Sequence, residues 1–132
     1  MVFVDTGAFL ARYDAADALH SRCVSVWQRL RGRELFTSTH VLAETWTLLG
    51  RRAGYAFAAE RAQNVYVSPA LEILYTTRED ESEAVQWFRK YADQRVSFTD
   101  CLSFVLMKRR RIRTAFTFDR HFLEAGFEVI GL

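Results

Sequence analysis

Short apolar runs alternate with longer segments of helical spacing along this chain of 132 residues. Val2-Phe3-Val4 is apolar without alternation, the pattern of a strand covered on both faces. Asp5-Thr6-Gly7 follows and opens a short helix to about Tyr13. From Asp17 to Leu30 the residues Leu19, Cys23, Val26, Trp27 and Leu30 fall on one helical face, and Gly32 ends the element. Glu34 to Thr37 reads as a second strand, followed by helices from about Thr39 to Arg51 and from Tyr55 to Val65. Leu71 to Tyr75 is the third strand. Glu79 to Tyr91 is predicted helical, with Glu79, Asp80 and Glu81 in its first turn and Arg89 and Lys90 in its last, matching the helix dipole. Thr99 to Arg110 is another helix, Thr114 to Thr117 a fourth strand and Phe127 to Ile130 a fifth.

Unalternating strands separated by helix-length segments predict parallel strands with helices on both faces. The expected fold is therefore a three-layer α/β/α sandwich in a single domain, 1–132, since no repeat or linker divides the chain. Composition supports this. Half of the residues are apolar and 26% are charged, which excludes a disordered chain. A domain of this length buries roughly two thirds of its unfolded surface and needs no staples. The longest uncharged stretch, Ala62 to Leu71, is ten residues, too short to span a bilayer. Asp5 and Arg12 interrupt any leader-like apolar segment, so a soluble, cytoplasmic protein is expected, without a membrane partner. Cys23 and Cys101 form no CxxC and lack a histidine pair at zinc spacing. The net charge of +2 specifies no partner, although all the basic residues except Lys90 and Lys108 are Arg, whose planar fork suits phosphate.

In open parallel sheets ligands bind beyond the carboxyl ends of the strands, and four acids map there. Asp5 ends the first strand and Asp119 follows the fourth. Each alone is explained by capping of the next helix. Glu44 lies in the otherwise uncharged segment Val41 to Leu49, sharing a face with Val41 and Leu48, where a carboxylate is costly unless paired, metal-bound or at the helix edge. Asp100 begins a mostly apolar helix, and Ser97 with Asp100 also fits a capping box. No G-x-S-x-G, P-loop or G-x-G-x-x-G offers a rival centre. Carboxylates gathered this way repel, and a divalent cation relieves the repulsion. Oxygen-only ligands favour Mg2+, with Mn2+ as the alternative, over zinc, and such a cluster can activate water against a phosphodiester.

Asp5-Thr6-Gly7-Ala8-Phe9, Leu42-Ala43-Glu44-Thr45, Ser97-Phe98-Thr99-Asp100-Cys101 and Thr117-Phe118-Asp119-Arg120-His121-Phe122 resemble, in order and spacing, the successive motifs of PIN-domain nucleases. The similarity is greatest to VapC-like ribonuclease toxins of toxin–antitoxin pairs, and it covers essentially the whole chain. It implies a sheet in the order 3-2-1-4-5, Mg2+-dependent RNA cleavage, a homodimer and inhibition by a cognate antitoxin. It also implies that Asp5, Glu44, Asp100 and Asp119 form the acidic quartet. Thr117 matches the hydroxyl residue supporting the fourth acid and Thr6 the one beside the first. Gly7 replaces the serine of many members without touching a ligand.

Lys108 to Arg111 is the densest basic run. Cations at a helix end ordinarily serve the dipole and solubility; Arg109, Arg110 and Arg111 are the candidate contacts to an RNA backbone. His20, His40 and His121 read as surface residues, although the last flanks Asp119 and could touch substrate, and Trp27, Trp46 and Trp87 read as core or interface. Trp27, Val41, Trp46, Leu49, Tyr55, Phe57 and Tyr66 together suggest more apolar surface than one sheet face hides, hence a partner groove among these helices. A haloacid-type phosphatase fails for want of D-x-D at the first strand, and a phosphotransfer receiver for want of an Asp ending the third. A housekeeping PIN nuclease of RNA maturation and a catalytically silent PIN-fold binding module remain as alternatives to a toxin.

Overall fold

A computed structural model describes residues 1–132. Twelve elements follow in the order β1 (Val2–Val4), α1 (Thr6–Tyr13), α2 (His20–Arg29), β2 (Leu35–Ser38), α3 (Thr39–Ala53), α4 (Tyr55–Val67), β3 (Leu71–Leu74), α5 (Arg78–Lys90), α6 (Phe98–Arg109), β4 (Thr114–Phe116), α7 (His121–Glu124) and β5 (Glu128–Ile130). The strands form one sheet in the order 3-2-1-4-5, and every neighbouring pair is parallel. In register, Phe3 of the central strand faces Phe36 on one side and Ala115 on the other. All three residues of β1 are fully buried, so helices close both faces of the sheet, as the lack of alternation predicts. The edge strands β3 and β5 are partly exposed.

The core is organised around α6. Every residue from Asp100 to Met107 is buried, which is why this helix carries so few polar positions. Phe104 packs its ring against Trp87, Tyr91, Phe122 and Phe127, with centroids 4.9 to 6.3 Å away. Helix α5 runs antiparallel to α6: Phe88 meets Phe98 at one end, and Asp80 pairs with Arg109 at the other. On α5, Thr77 and Asp80 form a complete capping box. Trp27 packs on Phe9 and Phe116, and a small second core of Leu10, Leu49 and Ala58 joins α1, α3 and α4.

Two sequence expectations change. The helix predicted from Asp17 begins at His20, because the Asp17 side chain accepts from the Leu19 amide and closes a turn instead. The surplus of apolar surface expected on α2 to α4 is smaller than composition suggests. Val41 and Leu49 are fully buried, Trp27, Trp46 and Phe57 are half-buried against α1 and the sheet, and only Tyr55 and Tyr66 of that set are exposed. No helix is long and apolar enough to cross a membrane.

Phe104→Ala would leave a void among the four aromatic rings packed on it and is expected to cost about 3–5 kcal/mol of unfolding free energy. Urea titration followed by tryptophan fluorescence measures this. A loss below about 1 kcal/mol would move the centre of the core away from α6.

Candidate active site

The parallel register brings the ends of β1 and β4 side by side, and the chemistry is assembled there. Asp5 leaves β1 with its amide bonded to the Phe116 carbonyl, and its side chain is 5% exposed. By position Asp5 caps α1, but its carboxylate makes no capping bond. The carboxylate turns instead to β4, where Oδ2 accepts the Thr117 hydroxyl at 2.8 Å, while Oδ1 is buried without a partner. Thr117 is fully buried, and its Oγ1 also accepts from the Asp119 amide at 3.0 Å. One hydroxyl therefore ties the first acid to the turn that carries the fourth. Asp119 closes that turn by accepting the His121 amide on Oδ1 at 2.8 Å.

Asp100 enters from α6. Ser97 accepts the Asp100 amide at 3.0 Å, so half of the expected capping box exists. The Asp100 carboxylate does not return the bond, unlike Asp80 in the complete box of α5. It joins the cluster, and one carboxylate oxygen each of Asp100 and Asp119 and a ring nitrogen of His121 lie within 4.8 Å of one another. Glu44 is half-buried in the second turn of α3, on the rim of a shallow crevice of about 370 Å3 shared with His40, Thr47 and Thr99. Thr6 is buried next to Asp5, and its hydroxyl has no partner.

Burial and mutual repulsion raise two of these acids. The Asp5 carboxyl is pushed from 3.8 to about 6, first by burial and then by the charges of Asp119 and Glu44, against the lowering effect of the Thr117 hydroxyl and the Thr6 amide. Asp100 is pushed to about 9 by burial, the charge of Asp5, the charge and hydrogen bond of Asp119, and the charge of Glu44. The carboxylates thus share one electrostatic site. The donor set fits a hard divalent cation: its carboxylates are oxygen ligands, two resist ionising without a counter-charge, and Asp5 Oδ1 lacks any protein partner.

Other expected residues lie elsewhere. Arg109, Arg110 and Arg111 sit at the far end of α6 from Asp100, about 15 Å along its axis. Arg109 pairs with Asp80 and bonds the Tyr75 carbonyl, and Arg110 pairs with Glu72 at 3.0 Å; Arg111 has no acidic partner. Two of the three therefore tie α6 to α5 and β3. His121, read from sequence as a surface residue, instead has its Nδ1 2.8 Å from Asp119 Oδ1. Its place two residues after Asp119 already put it near the site in sequence, and the fold turns its ring toward that acid. Cys23 and Cys101 are free, and burial raises both thiols to about 11, which makes them packing residues. A second, larger concavity of about 530 Å3 lies away from the acids, between α1, α2 and α4. Phe9, Tyr13 and Trp27 line it together with Arg12, Arg31 and Arg33.

Comparison with known proteins is consistent with this geometry. The PIN domain family model matches residues 2–128. The chain is 37% identical over 127 residues to the 23S rRNA-specific endonuclease VapC20 of Mycobacterium tuberculosis, covering 96% of this chain and 95% of that protein. It is 32% identical over 124 residues to Ribonuclease VapC26 of the same organism, covering 94% and 90%. The crystal structure of M. tuberculosis VapC20, described as a Sarcin-Ricin loop cleaving toxin, superposes with a TM-score of 0.91 at 33% identity, covering 100% of this chain and 98% of that one.

An acid whose folded-state pKa is raised stabilises the fold below its unfolded pKa, and that contribution is lost as pH rises through the folded value. In a chelator the protein is therefore expected to lose stability between about pH 4 and pH 9 through Asp5 and Asp100. Asp100→Asn, a permanently neutral mimic, should match wild type near pH 4 and melt on the order of 5 °C higher at pH 8. Coincident melting curves at pH 8 would show that the acid is not strained.

Proposed function

The chain belongs to the PIN-domain family, and from that premise we propose that it is an endoribonuclease of the VapC toxin class. It hydrolyses RNA phosphodiester bonds at the acidic end of its sheet. The observation that carries the reading is the convergence of Asp5, Asp100 and Asp119, with Glu44 at the rim, from four separate elements onto one buried electrostatic site. Mg2+, or Mn2+ in its place, would be held by Asp5, Asp100 and Asp119 with Glu44. When bound, the cation supplies charge neutralisation at the phosphate and lowers the pKa of water.

The remaining roles belong to the chain itself. Thr117 fixes the orientation of Asp5 and positions Asp119, so the acids stand preorganised rather than searching for their geometry. Thr6 offers an unpartnered hydroxyl beside Asp5. The crevice by Glu44 is open enough for a backbone to enter, with His40, Thr47 and Thr99 as polar contacts along it. Near-complete coverage of a ribosomal-RNA endonuclease at 37% identity supports ribosomal RNA as the substrate class. Arg111 and its neighbours would serve RNA only as a distant backbone contact, since Arg109 and Arg110 already hold acids of the fold.

A toxin of this class requires an antitoxin. The concavity between α1, α2 and α4 supports a seat for a segment of that partner: its apolar wall of Phe9, Tyr13 and Trp27 is flanked by Arg12, Arg31 and Arg33, none of which has an acidic partner. A homodimer in the cytoplasm completes the proposal. Tyr55, Tyr66 and Val67, exposed along α4, are apolar surface that a second copy would cover.

Asp5→Asn and Asp100→Asn are each expected to lower Mg2+-dependent cleavage of ribosomal RNA at least roughly a hundredfold while leaving the far-UV spectrum unchanged. Full activity of Asp100→Asn, or of wild type in EDTA, would overturn the site. Expression of the chain alone should arrest growth, and co-expression with its neighbouring gene product should relieve it. Equal arrest in both cultures would remove the toxin reading and leave a housekeeping nuclease.

A further inference from the structure

His121 opens α7 two residues after Asp119 and takes no part in the reading above. Its position is not explained by the local turn. That turn is already closed by the His121 main-chain N–H donating to Asp119 Oδ1, so the ring is not needed to hold it. Yet the ring lies over the same carboxylate, with Nδ1 2.8 Å from Oδ1. The contact is not aligned as a hydrogen bond, and Nδ1 is buried without a partner although the side chain as a whole is 29% exposed. The exposure therefore belongs to the outer edge of the ring, and the inner nitrogen faces the acids. A buried polar atom left without a partner is costly, and something other than protein would have to satisfy it.

A second orphan stands at the same acidic site, on a residue from the opposite end of the chain. Asp5 is 5% exposed, its Oδ1 has no partner, and its charge is felt directly at Asp100. The separations suit a shared ion. Adjacent ligands of an octahedral cation with bonds of about 2.1 Å stand about 3.0 Å apart, and opposite ligands about 4.2 Å. The Nδ1 to Oδ1 distance of 2.8 Å is close to the first value. Ligand atoms of His121, Asp119 and Asp100 all lie within 4.8 Å of one another, a spread slightly wider than the second value that a bound ion would draw in.

We propose that His121 Nδ1 is a ligand of the cation held by Asp100 and Asp119, which makes the centre a mixed nitrogen–oxygen site favouring a transition-metal ion such as Mn2+ over Mg2+. The inference rests on the metal-dependent reading of this site. Imidazole suits transition cations, whereas Mg2+ takes oxygen and keeps its waters. In this arrangement the ring is neutral, with Nδ1 donating its lone pair to the ion and Nε2 keeping its proton at the exposed edge.

The test uses Mn2+ alone on the full chain without nucleic acid. Pulsed electron paramagnetic resonance of the bound ion should show 14N coupling in wild type, lost in His121→Asn and retained in His40→Asn. Competition titration should show the preference for Mn2+ over Mg2+ falling roughly tenfold in His121→Asn, while Asp100→Asn weakens both cations. The wild-type spectrum needs no variant to fold, so absence of 14N coupling there overturns the inference directly, as does coupling that survives in His121→Asn. An oxygen-only spectrum with binding still dependent on Asp100 overturns the role of His121 and leaves the metal centre standing. Failure of wild type to bind Mn2+ at all overturns both.

Discussion

Asp5 and Asp100 are buried side by side where both cannot be ionised without a counter-charge, and much of the fold arranges that confinement. The central strand β1 has no exposed residue, so the acid that ends it has nowhere to reach but the crevice above the sheet. Helix α6 is buried along most of its length, and Asp100 occupies the one turn that meets the same crevice. Neither acid uses its side chain to cap a helix, although both stand at capping positions. Capping would have dispersed the carboxylates; releasing them concentrates charge where a cation and a phosphate can meet.

Holding four repelling groups in place requires uncharged scaffolding, and Thr117 provides it. It donates to Asp5 and accepts from the Asp119 amide, and it joins two strand ends that are distant in sequence. Gly131 lies against this point. A Cβ there would sit 2.5 Å from the Thr117 carbonyl, at a φ of +124° that side chains rarely adopt, so the end of β5 can approach only as glycine. The polar core around the acids follows the same rule: Thr37 donates to the Val4 carbonyl at 2.9 Å, and Ser103 to Thr99 at 3.1 Å. These buried hydroxyls are satisfied by main chain, Thr117 is satisfied by the Asp5 carboxylate, and the one buried hydroxyl without a partner, that of Thr6, stands beside Asp5.

The modest net charge conceals a spatial separation. Acids gather at the carboxyl ends of the strands, while Arg12, Arg31 and Arg33 surround the concavity between α1, α2 and α4. A bound cation would offset part of the negative charge of the first surface and leave the second untouched. Substrate and protein partner can therefore be met by chemically different faces of one small domain, with α1, which runs from Thr6 beside Asp5 to Tyr13, joining them.

The alternation of apolar runs and helical segments determined the architecture, because unalternating strands can be stable only between two layers of helix. The same pattern located Asp5 and Asp119, since a residue that ends a parallel strand must lie at the ligand-binding edge. Glu44 was legible as a charge in an apolar segment, and Asp100 as an acid opening an apolar helix. The strand order and the identity of the quartet came from resemblance to a family, not from spacing. Sequence left the role of Asp100 open, because a Ser-x-x-Asp box reads the same whether or not the aspartate returns its hydrogen bond. The folded chain forms the complete box at Asp80 and only half of it at Asp100, which leaves the Asp100 carboxylate out of the cap. Tertiary structure also paired Arg109 and Arg110 with acids of α5 and β3, buried Val41 and Leu49, and turned His121 inward. All but the last depend on contacts between residues far apart in the chain, and local periodicity describes only which face a side chain leaves from, not what it meets.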